Sequence, residues 1–314
     1  MNTLGAMYML NFSKKIKSLA AYVHVSTAYV NSNRRNCTLM EQVRVIGHAS
    51  STEDIEKLHL NLIGTYPNTY TLTKSMAEHM VTKYREHVPL VLLRPTIVGA
   101  SWKEPIPGWV DQLAAAGAIF LAGGMGLLTI LPGDPRSIAD IVPVDFVVNA
   151  ILLSACAKAK EPVGSPPLIL HSGTSDPREQ PLRWRVPIGT VSSYFQQNPP
   201  EKGMSRPSFT MFPSHQVFQI HWAGSVFWRG LACRRRPDNV DRFLRYTLPS
   251  SAYSTIANAS GNAHHMKQAS RLWKLTWRAR QLVEVFKPFT ENQWVFRSDG
   301  LQFLRSMPEY SSTH

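Results

Sequence analysis

Thr69–Leu93 reads TYTLTKSMAEHMVTKYREHVPLVLL, and its pattern changes part-way. Up to His87, Tyr70, Lys74, Ala77, Val81 and Tyr84 recur at helical spacing. From Pro89 to Leu93 the residues are apolar without a break, the mark of a strand buried on both faces, which stops at Arg94-Pro95. A helix feeding such a strand is half of a crossover unit in a parallel sheet. Working outward, Pro67-Asn68 is a turn signal, and Thr27 to Gly64 is polar and irregular, with a short helix start at Thr52-Glu-Asp-Ile-Glu. Ala20 to Ser26 (AAYVHVS) is β-branched and aromatic, so a strand is expected. Asn2 to Leu19 has helical periodicity, with Lys14, Lys15 and Lys17 near the end where they suit the helix dipole. On the other side, Gly108 to Phe120 reads as a helix, and Pro132-Gly133-Asp134-Pro135 as a loop. Pro143 leads into a helix from Val144 to Cys156, and Pro167 to His171 (PLILH) is a further strand. This alternation predicts an α/β fold with a parallel sheet.

The 314 residues suffice for one large or two ordinary domains. Three regions are expected: 1–173, an α/β domain; 174–215, rich in Pro, Ser, Arg and Gln, a linker or loosely ordered segment; and 216–314, a mainly helical region. Tryptophans in this last region interleave with Arg, and Arg234-Arg235-Arg236 with Arg242 and Arg245 make a basic face. Net charge is +13. No helix-turn-helix, zinc-finger or RNA-sheet signature accompanies it, so nucleic acid is the poorest partner. A phosphate-rich ligand or a membrane surface fits better, and a plain surplus of surface Arg and Lys fits as well. Cys37, Cys156 and Cys233 form no metal or disulfide pattern, which points to a reducing, intracellular compartment. Met1 to Phe12 does not read as a signal peptide, and the last residues do not match a Ser-Lys-Leu address. Leu113 to Leu131 is uncharged and long enough to span a bilayer, but holds Gly117, Gly123, Gly124 and Gly126. Glycine weakens a helix interior, so a buried helix breaking into a glycine loop is favoured over a membrane span.

Tyr70 and Lys74 are four apart, so both side chains share one helix face. A free phenol has a pKa of about 10, and an adjacent ammonium lowers it. Such a tyrosine can pass a proton to a carbonyl oxygen as hydride arrives at the carbon. Ser26 or Thr27, just past the end of a strand, supplies a hydroxyl for the same oxygen. Lysine can also hold a cofactor ribose. Taken alone, Tyr-x-x-x-Lys is common on helices; its place between two strands is what makes it informative. No HExxH or P-loop occurs, and His264-His265 lacks further ligands at metal spacing, so no metal is expected.

Four motifs, in order, resemble the alcohol-forming fatty acyl-CoA reductases of the extended short-chain dehydrogenase/reductase superfamily. They are Tyr22-Val-His-Val-Ser-Thr-Ala-Tyr-Val-Asn31; Tyr66-Pro-Asn-Thr-Tyr-Thr-Leu-Thr-Lys74 followed by Ser75-Met-Ala-Glu78; Leu93-Arg-Pro-Thr-Ile-Val-Gly-Ala-Ser-Trp102 with Glu104-Pro-Ile-Pro-Gly-Trp-Val-Asp111; and Asp140-Ile-Val-Pro-Val-Asp-Phe-Val-Val-Asn149. The resemblance implies Tyr70 as acid, Lys74 as its activator and ribose ligand, Ser26 or Thr27 as carbonyl polariser, and Asn2 as a structural and proton-relay residue. It implies that Pro95, Thr96, Ile97 and Val98 cover the nicotinamide beside Tyr70 and Lys74. It implies NADPH as cofactor and reduction of long-chain fatty acyl-CoA, through an aldehyde, to a primary alcohol. It also implies a peroxisomal or endoplasmic-reticulum membrane location, although the family's C-terminal anchor is not visible. Pro288 to Phe296 is similar to part of the family's C-terminal helical domain. The family opens with a strand, a glycine-rich turn and a helix that hold a pyrophosphate, and this sequence aligns after them. The expected fold is therefore an incomplete Rossmann-like doubly wound parallel sheet followed by a mainly helical region. Two other readings stand beside it: a truncated, non-catalytic family member, and another extended reductase acting on a sterol or a sugar nucleotide.

Overall fold

The structure is a computed structural model, and it describes residues 2–42, 66–113, 115–201, 208–213 and 263–307. The helix start near Thr52, Cys233 and the arginine cluster at 234–245 lie outside the described residues. The chain divides into two units, one of Met1–Ala116, Ile138–Leu182 and Gln293–His314, the other of Gly117–Ser137 and Arg183–Asn292.

In the first unit, α1 (Asn2–Ser13), β1 (Tyr22–Val25), β2 (Thr38–Leu39), α2 (Thr69–Tyr84), β3 (Leu90–Pro95) and β4 (Ile97–Gly99) follow in order. Strands β1 and β3 join a later strand, β7 (Leu168–Ser172), in a parallel sheet of order β1-β3-β7. The register pairs Val23 with Val91 and Leu92 with Ile169. Strand side chains alternate between faces, and here the alternation divides the core. Leu90 and Leu92 pack with Ala6 and Leu10 of α1 and with Ala77 and Val81 of α2. Leu93 and Leu170 pack on the opposite face with Val147 and Ala150 of α4 (Val144–Ala159) and with Leu301 and Leu304 from Asp299–Ser306. Helices on both faces of a parallel sheet are the α/β architecture expected from the sequence.

Helix α2 starts where Asn68 caps it, the Asn68 side chain accepting from the Thr71 N–H at 2.9 Å. Strand β3 runs through Arg94 and Pro95 rather than stopping before them. A charged residue is tolerated inside it because a carboxylate meets the guanidinium. Helix α4 follows β6 (Ile141–Pro143), which pairs with β4. Near the end of the unit, β9 (Val295–Phe296) pairs with β2, and the Trp294 and Phe296 rings stand edge-on to Tyr29 at 5.6 and 5.2 Å.

The second unit holds α3 (Ala115–Gly124), β5 (Ile130–Pro132), α5 (Arg185–Gln197), β8 (Thr210–Phe212) and α6 (Ala263–Glu291). Helix α3 and the turn after it match the expected buried helix breaking at glycines, and no helix among the described residues is long and apolar enough to cross a membrane. The helix begins later than expected because Pro105, Pro107 and Gly108 (φ +79°) turn the preceding chain into a loop. Strand β5 pairs with β8, and Gly133 follows at φ +133° with the Thr290 carbonyl where a Cβ would sit, so glycine is required there. The last helix of the chain, α7, is Asp299–Ser306 in the first unit.

Candidate active site

Ser26 and Thr27 leave the C-terminal end of β1 and face the first two turns of α2. The Ser26 N–H donates to the Leu93 carbonyl at 2.7 Å, which ties this end of β1 to β3. Its hydroxyl is buried and has no hydrogen-bond partner among the described residues. Buried hydroxyls are rarely left so, and an orphan at a sheet's C-terminal edge is free for an oxygen brought by a ligand. Thr27 donates to the Pro95 carbonyl at 3.4 Å and accepts from the Tyr29 N–H at 3.4 Å. It also hydrogen-bonds the Tyr70 hydroxyl.

Tyr70 is 48% exposed, at the open side of the site. Burial raises its pKa, and the Thr27 hydrogen bond pulls the other way. The expected depression by Lys74 is not what holds the phenol. The Lys74 Nζ instead donates to the Val25 carbonyl at 2.8 Å. Burial lowers the Lys74 pKa, and the Glu78 carboxylate opposes that.

Asn2, at the start of α1, donates from its amide to the Thr73 hydroxyl at 3.1 Å, and Thr3 donates to the Thr73 carbonyl at 3.1 Å. It therefore touches the residue beside Lys74. Beyond β3, Pro95 meets Thr27, Thr96 and Ile97 are buried, and Val98 is 38% exposed. The Ile97 N–H donates to the Asp140 carbonyl at 3.1 Å. The Asp140 carboxyl is buried and its pKa raised by that burial, while the Thr174 N–H and hydroxyl, which donate to Oδ1 at 2.7 and 3.1 Å, work to lower it. So the structure brings Ser26, Thr27, Tyr70, Lys74 and Pro95 together, sets Asn2 one residue to the side, and turns Thr96 and Ile97 inward.

Two features were not singled out from the sequence, and a third, His24, is expected there only as a packed residue in mid-strand. Arg94 is buried on β3 and grips Glu78 of α2 with two bonds, Nε to Oε1 at 2.9 Å and Nη2 to Oε2 at 2.6 Å. Its signal was an arginine closing an apolar strand and a glutamate four residues after Lys74. His24 is buried under Lys74 with its pKa lowered to about 4, by burial first and then by Lys74, while Glu78 opposes. Asp145 accepts from the N–H groups of Trp102 (2.9 Å), Lys103 (2.9 Å) and Glu104 (3.3 Å). Burial raises the pKa of this carboxyl, but those N–H groups outweigh it and hold it low. Asp145 thereby pins the loop after β4.

The nicotinamide and ribose end of a dinucleotide suits these residues: an orphaned buried hydroxyl, an outward phenol and an ammonium lie at one edge. The glycine cluster at the end of α3 is closed to a pyrophosphate, because at Gly123 and Gly124 a Cβ would meet Phe209 and Phe195. A cavity of about 370 Å³ lies at the opposite end of the strands, lined by Lys14, Lys15, Lys17, His87 and Lys158. Lys14 pairs there with Glu86 and Lys158 with Glu161, and helix C-termini surround it, so it is a less apt anion site than its lysines suggest. No group of three metal-ligating side chains occurs among the described residues.

Residues 1–151 match the family described as Male sterility protein. Among characterised proteins, Fatty acyl-CoA reductase 1 of Xenopus laevis is 28% identical over 98% of this chain and 55% of its own length. Fatty acyl-CoA reductase wat of Drosophila melanogaster is 30% identical over 96% of this chain and 54% of its own. The chain spans about half the length of the curated relatives it matches. Among solved structures, the terminal R domain of the myxalamid PKS-NRPS biosynthetic pathway superposes with a TM-score of 0.53 at 15% identity, covering 98% of this chain and 57% of that one. That likeness concerns the fold alone.

Proposed function

This chain is a relative of the fatty acyl-CoA reductases, and from that premise we propose that it carries the proton-transfer side of an NADPH-dependent reduction of long-chain fatty acyl-CoA to a primary alcohol. The observation that supports the reading is the placing of Tyr70 and Lys74 one turn apart on α2, beside the unpartnered Ser26 hydroxyl at the end of β1. NADPH, when bound, supplies hydride to the carbonyl carbon. Tyr70 donates its proton to the carbonyl oxygen as negative charge gathers there. Ser26 hydrogen-bonds the same oxygen, and its orphaned state means no protein bond is broken to do so. Thr27, whose hydroxyl is tied to the Pro95 carbonyl, stands beside the phenol. Lys74 holds the ribose hydroxyls and keeps a positive charge behind the phenol. Asn2 acts through Thr73 to steady this turn of α2. Pro95, Thr96, Ile97 and Val98 close the site over the nicotinamide, with Val98 the outward side chain. The thioester requires two such rounds, the first releasing CoA thiol and leaving an aldehyde.

The test is incubation of the full chain with NADPH and a long-chain acyl-CoA, with the alcohol detected by mass spectrometry. Alcohol is expected from the native chain. Tyr70→Phe is expected to lower its rate by about 10²–10⁴-fold, the usual worth of a positioned general acid. Equal rates for both proteins would remove Tyr70 from the chemistry, and no alcohol from either would leave the chain a non-catalytic relative.

A further inference from the structure

Lys74 sits in a place that disfavours its charge. It is partly buried, and among the described residues its hydrogen-bond acceptor is the neutral Val25 carbonyl. The groups that face it are Tyr70 and Glu78 from its own helix, His24 and Thr27 from β1 and the turn after it, and Arg94 from β3 beyond Glu78. His24 supplies no countercharge, because its ring is neutral here and would be a second cation if protonated. Tyr70 is a neutral phenol. Glu78 is the one anion of the set, and it lies one helical turn from Lys74 on the same face.

Glu78 is not free to move toward the ammonium. Both of its oxygens are held by Arg94, and both residues are buried. Arg94 is itself fixed from other sides. Its Nη2 also donates to the Gln42 carbonyl at 3.0 Å, and its Nη1 lies 3.5 Å from His171 Nε2. His171 Nδ1 is 2.8 Å from the Arg297 carbonyl, which can only accept, so Nδ1 carries the hydrogen and Nε2 presents its lone pair to Arg94. Burial, with Arg94 adding to it, lowers the His171 pKa to about 3, and the Arg297 hydrogen bond opposes them, so the ring stays neutral.

We propose that Arg94 and Glu78 act on Lys74 as a positioning pair: Arg94 locks the Glu78 carboxylate one turn behind the ammonium, and that fixed anion keeps Lys74 a cation turned to the catalytic edge. A pair that served only to join α2 to β3 would be replaceable by apolar residues of like volume, since buried ion pairs often contribute little net stability over such replacements. A pair that acts on Lys74 would not be. What Lys74 then does with its charge rests on the reductase reading, but the charge itself is measured without cofactor or substrate.

The experiment compares the full chain with Glu78→Leu/Arg94→Met. Amine labelling across a pH series, followed by peptide mass spectrometry, reports the neutral fraction of Lys74, with exposed Lys15 and Lys17 as references in the same sample. In the double variant the Lys74 profile is expected to move to lower pH and its labelling near pH 8 to quicken, while Lys15 and Lys17 are unchanged and the thermal melt is kept. A Lys74 profile that overlies that of the native chain overturns the proposal. If the apolar pair fails to fold, Glu78→Gln/Arg94→Gln, polar and uncharged, is expected to give the same movement, and an unmoved profile there overturns it equally. Absence of reductase activity in the native chain would bear on the function and leave this result standing.

Discussion

Ser26, Thr27, Tyr70 and Lys74 come from the end of β1 and the first turns of α2, and their local bonds decide what each can do. Thr27 gives its one hydroxyl proton to the Pro95 carbonyl and stands beside the Tyr70 phenol. Tyr70 and Lys74 were legible in the sequence because i,i+4 spacing alone puts them on one face. The orphaned state of Ser26 was not, since it depends on what does not approach its hydroxyl. The Glu78–Arg94 pair was not legible either, because it joins a helix to a strand through side-chain geometry. Two histidines carry a residue-scale prediction. The pKa values of His24 and His171 are lowered to about 4 and about 3, against an unfolded value near 6.5. The unfolded state therefore binds protons first as pH falls. Their contribution is fully present above pH 6.5 and is lost progressively as pH falls toward 4 and then 3, at pH 4 on the order of 3 kcal/mol for His24. Urea melts of native chain and His24→Gln should converge in stability as pH is lowered from 7 to 4. A constant gap between them would contradict this.

Among the elements, those with a clean period were readable: β1, α2, β3, α4 and β7 each form where their pattern places them, with Ala77 and Val81 of α2 buried and Tyr70 and Tyr84 left exposed. Helix α5 was not, for of its residues only Ile188 is buried and its stretch has the composition of a linker. The β2–β9 pair was beyond reach because each strand is two residues long and the partners lie at opposite ends of the chain. The loop after β4 is an element of a different kind, held by hydrogen bonds rather than by a core. Asp145 takes three of its N–H groups while Trp102, Ile106 and Trp109 stay largely exposed. Asp145→Ala should raise hydrogen exchange at the Trp102, Lys103 and Glu104 amides roughly tenfold or more, as expected for loss of charge-assisted bonds. Exchange at Leu92 in the central strand should be unchanged. Equal protection of all three loop amides in the variant would show that Asp145 does not hold the loop.

At the scale of the whole molecule, the first unit is closed by residues far apart in sequence. Phe296 is 2% exposed and meets both Tyr29 and His171, at 5.2 and 5.6 Å between ring centres. Truncating it leaves a cavity among groups that cannot close over it. Phe296→Ala is expected to cost about 3–5 kcal/mol in urea unfolding, the range for a buried aromatic. A cost near zero would mean that the C-terminal segment is not part of this core. The same unit carries the whole candidate site, so stability and site geometry should fail together in that variant. The account's central claim is that the C-terminal edge of the β1-β3-β7 sheet is the nicotinamide end of a reductase site. Fluorescence titration of NADPH into the full chain and into Lys74→Ala tests it most directly. Saturable binding by the native chain, weakened at least tenfold in Lys74→Ala with the melt unchanged, is the predicted result; no saturable binding by the native chain, or equal affinity in both, would contradict it.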